Sequence, residues 1–336
     1  MSAAVQPAGI TGGSGPLAGA MRAARRDPWM VGLWGLFIGL LAFTKLIQPS
    51  YDANGLASLA IAALPVAFAA IAQAVVVISG GIDLSVGSVM ALTSVIAAAL
   101  MTDGSPESAI LVVAGVLAIG VVIGVVNGAL VVFSRVPDIV VTLAMLYVWA
   151  GVALLILDRP GGGVADWLAD LARGSLIVEW VPRAFVLLVV VVAVIWLPLR
   201  RTRLGLSIYA VGSHQLAAFR SGVDVPRTRI AAYVLAGLFA ACGGLALTMT
   251  TGIGTPIPGP YLLQSVAAIV LGGVSLAGGR GNLVGPIVAV YILSLLRTDL
   301  TFLHVDPNLT TVLQGAIMVV VVMIGAYLTL RRNRPA

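Results

Sequence analysis

A carboxylate, Asp83, interrupts an otherwise apolar part of the sequence. It lies in residues 79–88, which read Ser-Gly-Gly-Ile-Asp-Leu-Ser-Val-Gly-Ser between two apolar runs. An ionisable group at membrane depth is costly and is a functional candidate by default. Backbone that leaves a helix at that depth must face protein or a water-filled path, so we expect this stretch to face the inside of a helical bundle. The residues that loosen the helix are Gly80, Gly81, Ser85 and Gly87.

A second glycine-rich segment echoes the first late in the chain. Residues 271–286 read Leu-Gly-Gly-Val-Ser-Leu-Ala-Gly-Gly-Arg-Gly-Asn-Leu-Val-Gly-Pro. When the two Gly-Gly pairs are aligned, Ser275 takes the place of Asp83. Because a buried carboxylate needs a partner, Arg280 in this second segment is a candidate to pair with Asp83.

Other polar side chains inside apolar runs are candidates to line the path of a polar solute. Each supplies hydrogen-bond donors or acceptors, but a bond between neighbouring helices is the alternative for every single Ser, Thr, Asn or Gln. Asp138 stands at a loop end and is expected to reach water. Besides Asp83 and Ser85, the path candidates are Gln73, Asn127, Thr142, Gln264, Ser265, Asn282 and Gln314.

The composition is that of a polytopic membrane protein. Hydrophobic residues make up 60% and charged residues 10% of the 336 residues, whereas about a quarter of a soluble domain is charged. A single cysteine, Cys242, excludes an intramolecular disulfide, and the two histidines, His214 and His304, lie far apart, so no metal site is expected. The net charge of +6 comes from short loops between apolar runs, which indicates orientation in the membrane and not nucleic-acid binding.

Ten apolar runs give an all-α membrane domain of about ten transmembrane helices, some broken by glycines. Most runs have about the 17–25 residues that cross a bilayer, whereas the eighth and ninth are shorter, as expected beside a broken helix. Residues 1–28 are expected to form a disordered cytoplasmic tail, 29–330 the membrane domain and 331–336 a second cytoplasmic tail. A cleaved signal peptide at the first run, or a hairpin formed by the eighth and ninth, is the alternative. The runs are roughly 29–47, 56–78, 84–101, 109–133, 139–157, 183–199, 230–250, 262–274, 283–296 and 309–330.

The charges predict which loops share a side of the membrane. Cytoplasmic loops collect arginine and lysine, and an even number of helices with both termini inside puts most arginines on one side and most acids on the other. The arginines assigned to the cytoplasm include Arg135, Arg200, Arg201, Arg203, Arg220, Arg227, Arg229 and Arg280.

The longest basic loop, residues 200–229, contains a pattern typical of a short helix. Ser213 is a suitable N-cap and Gly222 a suitable stop, with small residues at Ala217 and Ala218 beside Phe219. A helix of about two turns is not stable alone, so we expect it to dock on a soluble partner at the cytoplasmic surface. An ordinary basic loop is the alternative.

These three segments resemble the permease subunits of sugar ATP-binding-cassette importers of the ribose, xylose and arabinose type. Members of that family carry the Gly-Gly-Ile-Asp-Leu-Ser-Val-Gly-Ser stretch found here, and a coupling segment that docks in a groove of the ATPase. His214 replaces the usual Asn, and Gln264 stands near a usually acidic position. The coupling positions that match are Gly212, Ser213, Ala217, Ala218, Ser221 and Gly222, with Phe219 and Arg220 at a variable pair.

The resemblance implies a bacterial inner-membrane permease fold with several partners. These are a cytosolic ATPase, a periplasmic sugar-binding protein, a second permease subunit, identical or paralogous, and membrane lipid. The only lysine, Lys45, is not in a P-loop, so this chain is expected to be no enzyme and to hold no cofactor, with ATP and Mg²⁺ in the ATPase. The alternatives are a branched-chain amino acid or nucleoside permease, or an ion-coupled carrier that uses Asp83.

Overall fold

The computed structural model describes residues 28–101, 106–176, 178–257 and 259–332. Most of both predicted tails therefore lies outside the described residues, although Pro28 already belongs to the first helix. Within the described residues the chain is helical, and short bridges join Gly161 to Gly254 and Ser175 to Pro182. The helices are α1 (Pro28–Ile47), α2 (Ala53–Ile78), α3 (Val86–Leu100), α4 (Pro106–Ser134), α5 (Asp138–Ile156), α6 (Asp166–Ala172), α7 (Arg183–Arg200), α8 (Arg203–Ser213), α9 (Gln215–Arg220), α10 (Val225–Thr251), α11 (Tyr261–Leu271), α12 (Val284–Phe302) and α13 (Pro307–Arg332).

Seven helices of the described chain are long and apolar enough to cross a membrane, namely α1, α2, α4, α5, α7, α10 and α12. This confirms a multi-pass all-α protein, while the count of ten remains a prediction. Helices α3 and α11 have 15 and 11 residues, too few to span about 30 Å of hydrocarbon at about 1.5 Å per residue. The expectation that the ninth run is short is wrong, because α12 continues for 19 residues.

Helices α2 and α10 form the centre of the bundle. In the most apolar window of α2, 83% of the residues are buried, against 11% in α1. Helix α10 packs on α2, α3 and α4, and its seam with α4 is made by glycines. A Cβ atom at Gly237 would lie 2.9 Å from the backbone nitrogen of Gly124, so only small residues let these two backbones approach.

Both predicted helix breaks are present, and both begin in the same way. Two residues after the end of α2, Gly80 is left-handed (φ 85°), and the Gly81 amide donates to the Val76 carbonyl at 3.0 Å. Two residues after the end of α11, Gly273 is left-handed (φ 79°), and the Val274 amide donates to the Ile269 carbonyl at 2.9 Å. These are Schellman-type ends.

We call residues 79–85 break 1 and residues 272–283 break 2. The two left-handed glycines give the structural alignment of the breaks. Counted from them, Ser275 corresponds to Ile82 and not to Asp83. The alignment of the Gly-Gly pairs is therefore wrong by one residue.

Among the described residues, the glycine-rich and basic loops predicted to share a side of the membrane lie at one end of the bundle, which we call the junction end. There the Gly279 amide donates to the Ile78 carbonyl at 2.9 Å, and the indole of Trp29 donates to the Leu271 carbonyl at 2.9 Å. Residues 200–229 lie at this end too. They contain the helix α8, which was not predicted. At the opposite end, the Gly163 amide donates to the Ala98 carbonyl at 2.9 Å.

We expect Gly124→Val to destabilise the bundle by about 1–3 kcal/mol, because the added atoms overpack the α4–α10 seam. A Cβ atom there would lie 2.6 Å from the Cα atom of Val234. Gly115→Val, on the same helix with nothing within 4 Å, carries the same loss of helix propensity and is the control. Thermal unfolding in detergent checks this, and equal midpoints for the two variants would contradict it.

Candidate functional site

Break 1 contains a network of buried, hydrogen-bonded side chains that starts at Asp83. This residue is 4% exposed, and its carboxylate accepts from the amide and the hydroxyl of Ser85 at 2.8 and 2.6 Å. The side-chain amide of Asn127 on α4 donates to the Ser85 hydroxyl at 2.8 Å, and the indole of Trp149 on α5 donates to Asn127 at 3.0 Å. These hydrogen bonds therefore join break 1 to the neighbouring helices α4 and α5.

The pairing of Asp83 with Arg280 is wrong. Arg280 is exposed, and the two residues form no ion pair. Hydrogen bonds from Ser85, two residues further along, satisfy the carboxylate locally in place of a distant cation. Asp83 is thus held within its own turn and makes no electrostatic link between the breaks.

A second polar cluster beside break 1 is built on Asp138. A guanidinium nitrogen of Arg229 lies 2.6 Å from both carboxylate oxygens, and the hydroxyl of Tyr233 donates at 3.0 Å. The side chains of Arg229 and Asp138 are only 19% and 18% exposed. Asp138 therefore reaches water less than expected, because the start of α10 covers most of its side chain.

This cluster also holds the backbone of break 1. The Leu84 amide donates to the Thr142 hydroxyl at 3.1 Å, and the Thr142 hydroxyl lies 2.8 Å from the Asp138 carbonyl. The Tyr233 hydroxyl is also 3.3 Å from the Ile82 carbonyl. Helices α5 and α10 thus supply hydrogen-bond partners for backbone groups of break 1 that have none within a helix.

The remaining path candidates fall into three different settings. Gln73 is 1% exposed and its side-chain amide has no hydrogen-bond partner. Ser265 donates to the Leu262 carbonyl in its own helix at 2.8 Å, and Asn282 accepts from the Gly285 amide at 2.8 Å at the start of α12. Gln264 lines a cavity of about 120 Å³ between α2, α11, α12 and α13.

The cavity beside Gln264 is lined by both polar and aliphatic residues. The aliphatic ones include Ala62, Val66 and Val290. Such a mixture of convergent polar groups on an apolar wall is typical of small-molecule sites. The polar lining residues are Gln264, Ser294, Arg297, Thr298 and Gln314.

The predicted short helix is α9, with small differences in its ends. Its N-cap is His214, whose ring nitrogen Nδ1 accepts from the Ala217 amide at 3.2 Å, so the assignment of Ser213 is wrong by one residue. Gly222 (φ 83°) follows the end of the helix as predicted. Ser213 is the last residue of α8. The N-cap of α9 is therefore the next residue, His214, whose side chain can also accept a hydrogen bond.

The exposed face of α9 differs from the predicted one. Ala218 is 5% exposed and packs with Val211 and Val225 of the same chain. Leu216 and Phe219 are 53% and 65% exposed. The two bulky side chains, with Ala217, therefore form the free surface of the helix.

Sequence reasoning missed Arg229, Tyr233 and Trp149 as parts of the site. The ion pair joins residues 91 positions apart, and both partners were treated as loop charges. The available signal was positional. Each residue of the ion pair lies within three positions of a proline at the beginning of a helix. Pro137 directly precedes α5, and Pro226 lies in the first turn of α10.

Apolar helices of membrane-spanning length surround two polar helix breaks in the described residues, as is typical of transport proteins. Residues 55–322 match the family model described as "Branched-chain amino acid transport system / permease component". The match covers most of the chain, which therefore belongs to this family of transport permeases. The resemblance noted in the sequence is thus confirmed at the level of the family.

Two relatives show the range of the family. The chain is 32% identical over 292 residues to the ribose import permease protein of Escherichia coli (strain K12), covering 85% of this chain and 90% of the relative. It is 29% identical over 318 residues to the autoinducer 2 import system permease protein of Escherichia coli (strain K12), covering 92% and 95%. No solved structure gives a significant match.

We expect Arg229→Gln to lower the free energy of unfolding by about 2 kcal/mol, less than the roughly 3–5 kcal/mol of a fully buried pair because water reaches part of this one. Arg227→Gln is the matched control. Its ion pair with Asp224 is exposed and should contribute less than about 1 kcal/mol. Unfolding of both variants in detergent tests this, and a larger loss for Arg227→Gln would show that the Asp138 pair is not structural.

Proposed function

We propose that this chain is the membrane-spanning permease subunit of an ATP-driven importer for a monosaccharide or a related small polyol. The observation that carries the proposal is α9, a two-turn helix that buries Ala218 against its own chain and leaves Leu216 and Phe219 uncovered. Exposed bulky apolar side chains on a short helix favour a protein partner. The similarity to ribose and autoinducer 2 import permeases favours a hydroxylated solute.

The partners and the orientation that we propose are supported by the charge of the junction end and by the free surface of α9. The arginine-rich junction end faces the cytosol of a bacterial inner membrane, with both chain termini on that side. A cytosolic ATPase docks on α9 and supplies ATP and Mg²⁺, a periplasmic sugar-binding protein docks at the opposite end, and a second permease subunit completes the path. Exposed apolar side chains along the spans, such as Leu155 at 86%, meet lipid.

The solute-binding groups that we propose are those around Gln264. Amides and hydroxyls match the donors and acceptors of a sugar, and Gln264, Ser294 and Gln314 bring them to one cavity. The Thr298 hydroxyl also lines it but donates to the Ser294 carbonyl in its own helix at 3.1 Å. We assign the hydrogen-bonded side chains around Asp83 not to solute binding but to a polar gate that closes the path at the cytosolic end, because these side chains already satisfy one another.

A branched-chain amino acid permease is the second candidate, favoured by the description of the family model. Arg297 in the cavity suits the carboxylate of an amino acid. An ion-coupled carrier that uses Asp83 is the third, and it leaves the exposed face of α9 without a role.

The experiment that tests the proposal measures ATP hydrolysis in liposomes that contain this chain and the ATPase encoded beside it. A candidate binding protein is added empty, loaded with ribose or xylose, or loaded with leucine. We expect a loaded sugar-binding protein to stimulate hydrolysis. Stimulation by leucine alone would favour the second candidate, and uptake driven by a proton gradient without ATP would favour the carrier.

Docking on α9 predicts that Phe219→Glu abolishes co-purification of the ATPase and lowers uptake at least about tenfold, since a buried charge costs several kcal/mol. Leu303→Glu is the control, because Leu303 is 52% exposed but lies at the opposite end. Loss of the ATPase in the control, or its retention in Phe219→Glu, would contradict the assignment of α9. Ala218→Glu is not a suitable probe, because Ala218 packs inside the chain.

Binding at the cavity predicts that Gln264→Leu raises the half-saturating solute concentration for uptake about tenfold, as the loss of one or two hydrogen bonds does. The ATPase should still co-purify. Ser265→Ala is the control, since that hydroxyl bonds within its own helix. If transport by Gln264→Leu is the same as transport by Ser265→Ala, the cavity is not a solute site.

A further inference from the structure

Three separate segments meet at Gly212, the next-to-last residue of α8. A Cβ atom at Gly212 would collide with the carbonyl oxygen of Ile78 and would lie 2.7 Å from the nitrogen of Gly279. Ile78 ends α2 just before break 1, and Gly279 lies in break 2. The last turn of α8 therefore passes between the two breaks with its backbone against both.

The contact is mainly backbone on backbone, because four of the facing positions are glycines and Ile78 takes part through its carbonyl group. A Cβ atom at Gly278 would lie 2.9 Å from the Cα atom of Gly80 and 2.7 Å from the Gly212 oxygen. Gly278 and Gly279 have φ of 83° and 68°, a conformation that favours glycine. We call Gly80, Gly212, Gly278 and Gly279 the glycine junction.

Two hydrogen bonds fix the glycine junction. The Gly279 amide donates to the Ile78 carbonyl at 2.9 Å and joins the two breaks directly. The Tyr209 hydroxyl on α8 donates to the Gly281 carbonyl of break 2 at 3.1 Å. Burial raises the pKa of Tyr209 above its usual value, so the hydroxyl keeps its proton and remains a donor.

The glycine junction is coupled closely to α9. His214 caps α9 and directly follows Ser213 of α8, and Ala218 packs back on Val211, the neighbour of Gly212. A displacement of α9 therefore moves Gly212. Gly212 has no side chain whose rotamer could change to absorb that displacement.

We propose that the glycine junction transmits movement of α9 to both helix breaks at once, and that Gly212 and Tyr209 are the positioning residues of this transmission. The proposal rests on the proposed function, in which an ATPase docks on α9. It adds the place at which docking is converted into movement of the polar gate. The two breaks, far apart in the sequence, then open or close together because they share one contact.

The test uses the full chain with its ATPase and a ribose-loaded or xylose-loaded binding protein in liposomes, and it measures ribose or xylose transported per ATP hydrolysed. In Gly212→Ala the added methyl group forces the backbones apart, and we expect this ratio to fall about tenfold, within the usual range of coupling between sites, while the ATPase still co-purifies. Gly151→Ala is the control, a helical glycine with nothing within 4 Å.

A milder variant keeps the test decisive if Gly212→Ala does not fold. Tyr209→Phe removes only the bond to Gly281, and we expect the ratio to fall about fivefold, the effect of one lost hydrogen bond. Tyr147→Phe, at a side chain that is 71% exposed, is its control. A merely structural role of Tyr209 would lower the amount of folded protein and leave the ratio unchanged.

The possible results separate this proposal from the proposed function. If Tyr209→Phe and any folded Gly212→Ala transport as much solute per ATP as their controls, the glycine junction does not transmit movement. Loss of ATPase binding in Tyr209→Phe would assign the residue to docking and would also overturn the proposal. If the unmodified chain binds no ATPase, the proposed function itself fails.

Discussion

The structure depends on one constraint, that backbone leaving a helix among apolar neighbours must find hydrogen-bond partners inside the protein. Break 1 and break 2 together expose several such groups, and helices from distant parts of the chain supply the partners. The Ile78 carbonyl is satisfied by Gly279, the Leu84 amide by Thr142, and the Leu271 carbonyl by Trp29. The convergence of α1, α5, α8 and α10 on the junction end follows from this need.

Much of this arrangement could be predicted because it depends on local chemistry. Glycines beside a polar residue in an apolar run mark a helix break, and both breaks lie where the sequence placed them. Gly222 ends α9 for the same local reason. The polar candidates Asp83, Ser85, Asn127 and Thr142 do meet around break 1, since each had to find a partner inside the bundle.

The errors concern choices that tertiary contacts decide. Asp138 has the sequence environment of a loop residue, and only the approach of α10 turns it into a buried ion-pair partner of Arg229. Ala218 and Phe219 are adjacent in the sequence, but only Ala218 meets Val211 and Val225. The one-residue error in aligning the breaks has another cause. The Schellman end requires a single left-handed glycine, and either residue of a Gly-Gly pair can take that place.

Two connections run from α9 to break 1, and they differ in stiffness. One passes through the start of α10, where Arg229 holds Asp138 and Tyr233 contacts the Ile82 carbonyl. The side chains of this connection can change rotamer. Water also reaches about a fifth of the surface of the ion pair, which weakens the attraction between Arg229 and Asp138. The other passes through Gly212, where backbone meets backbone and repulsion rises steeply with any approach. A displacement of α9 therefore reaches the breaks first through Gly212. The Asp138 cluster keeps break 1 in contact with α5 and α10 while break 1 moves.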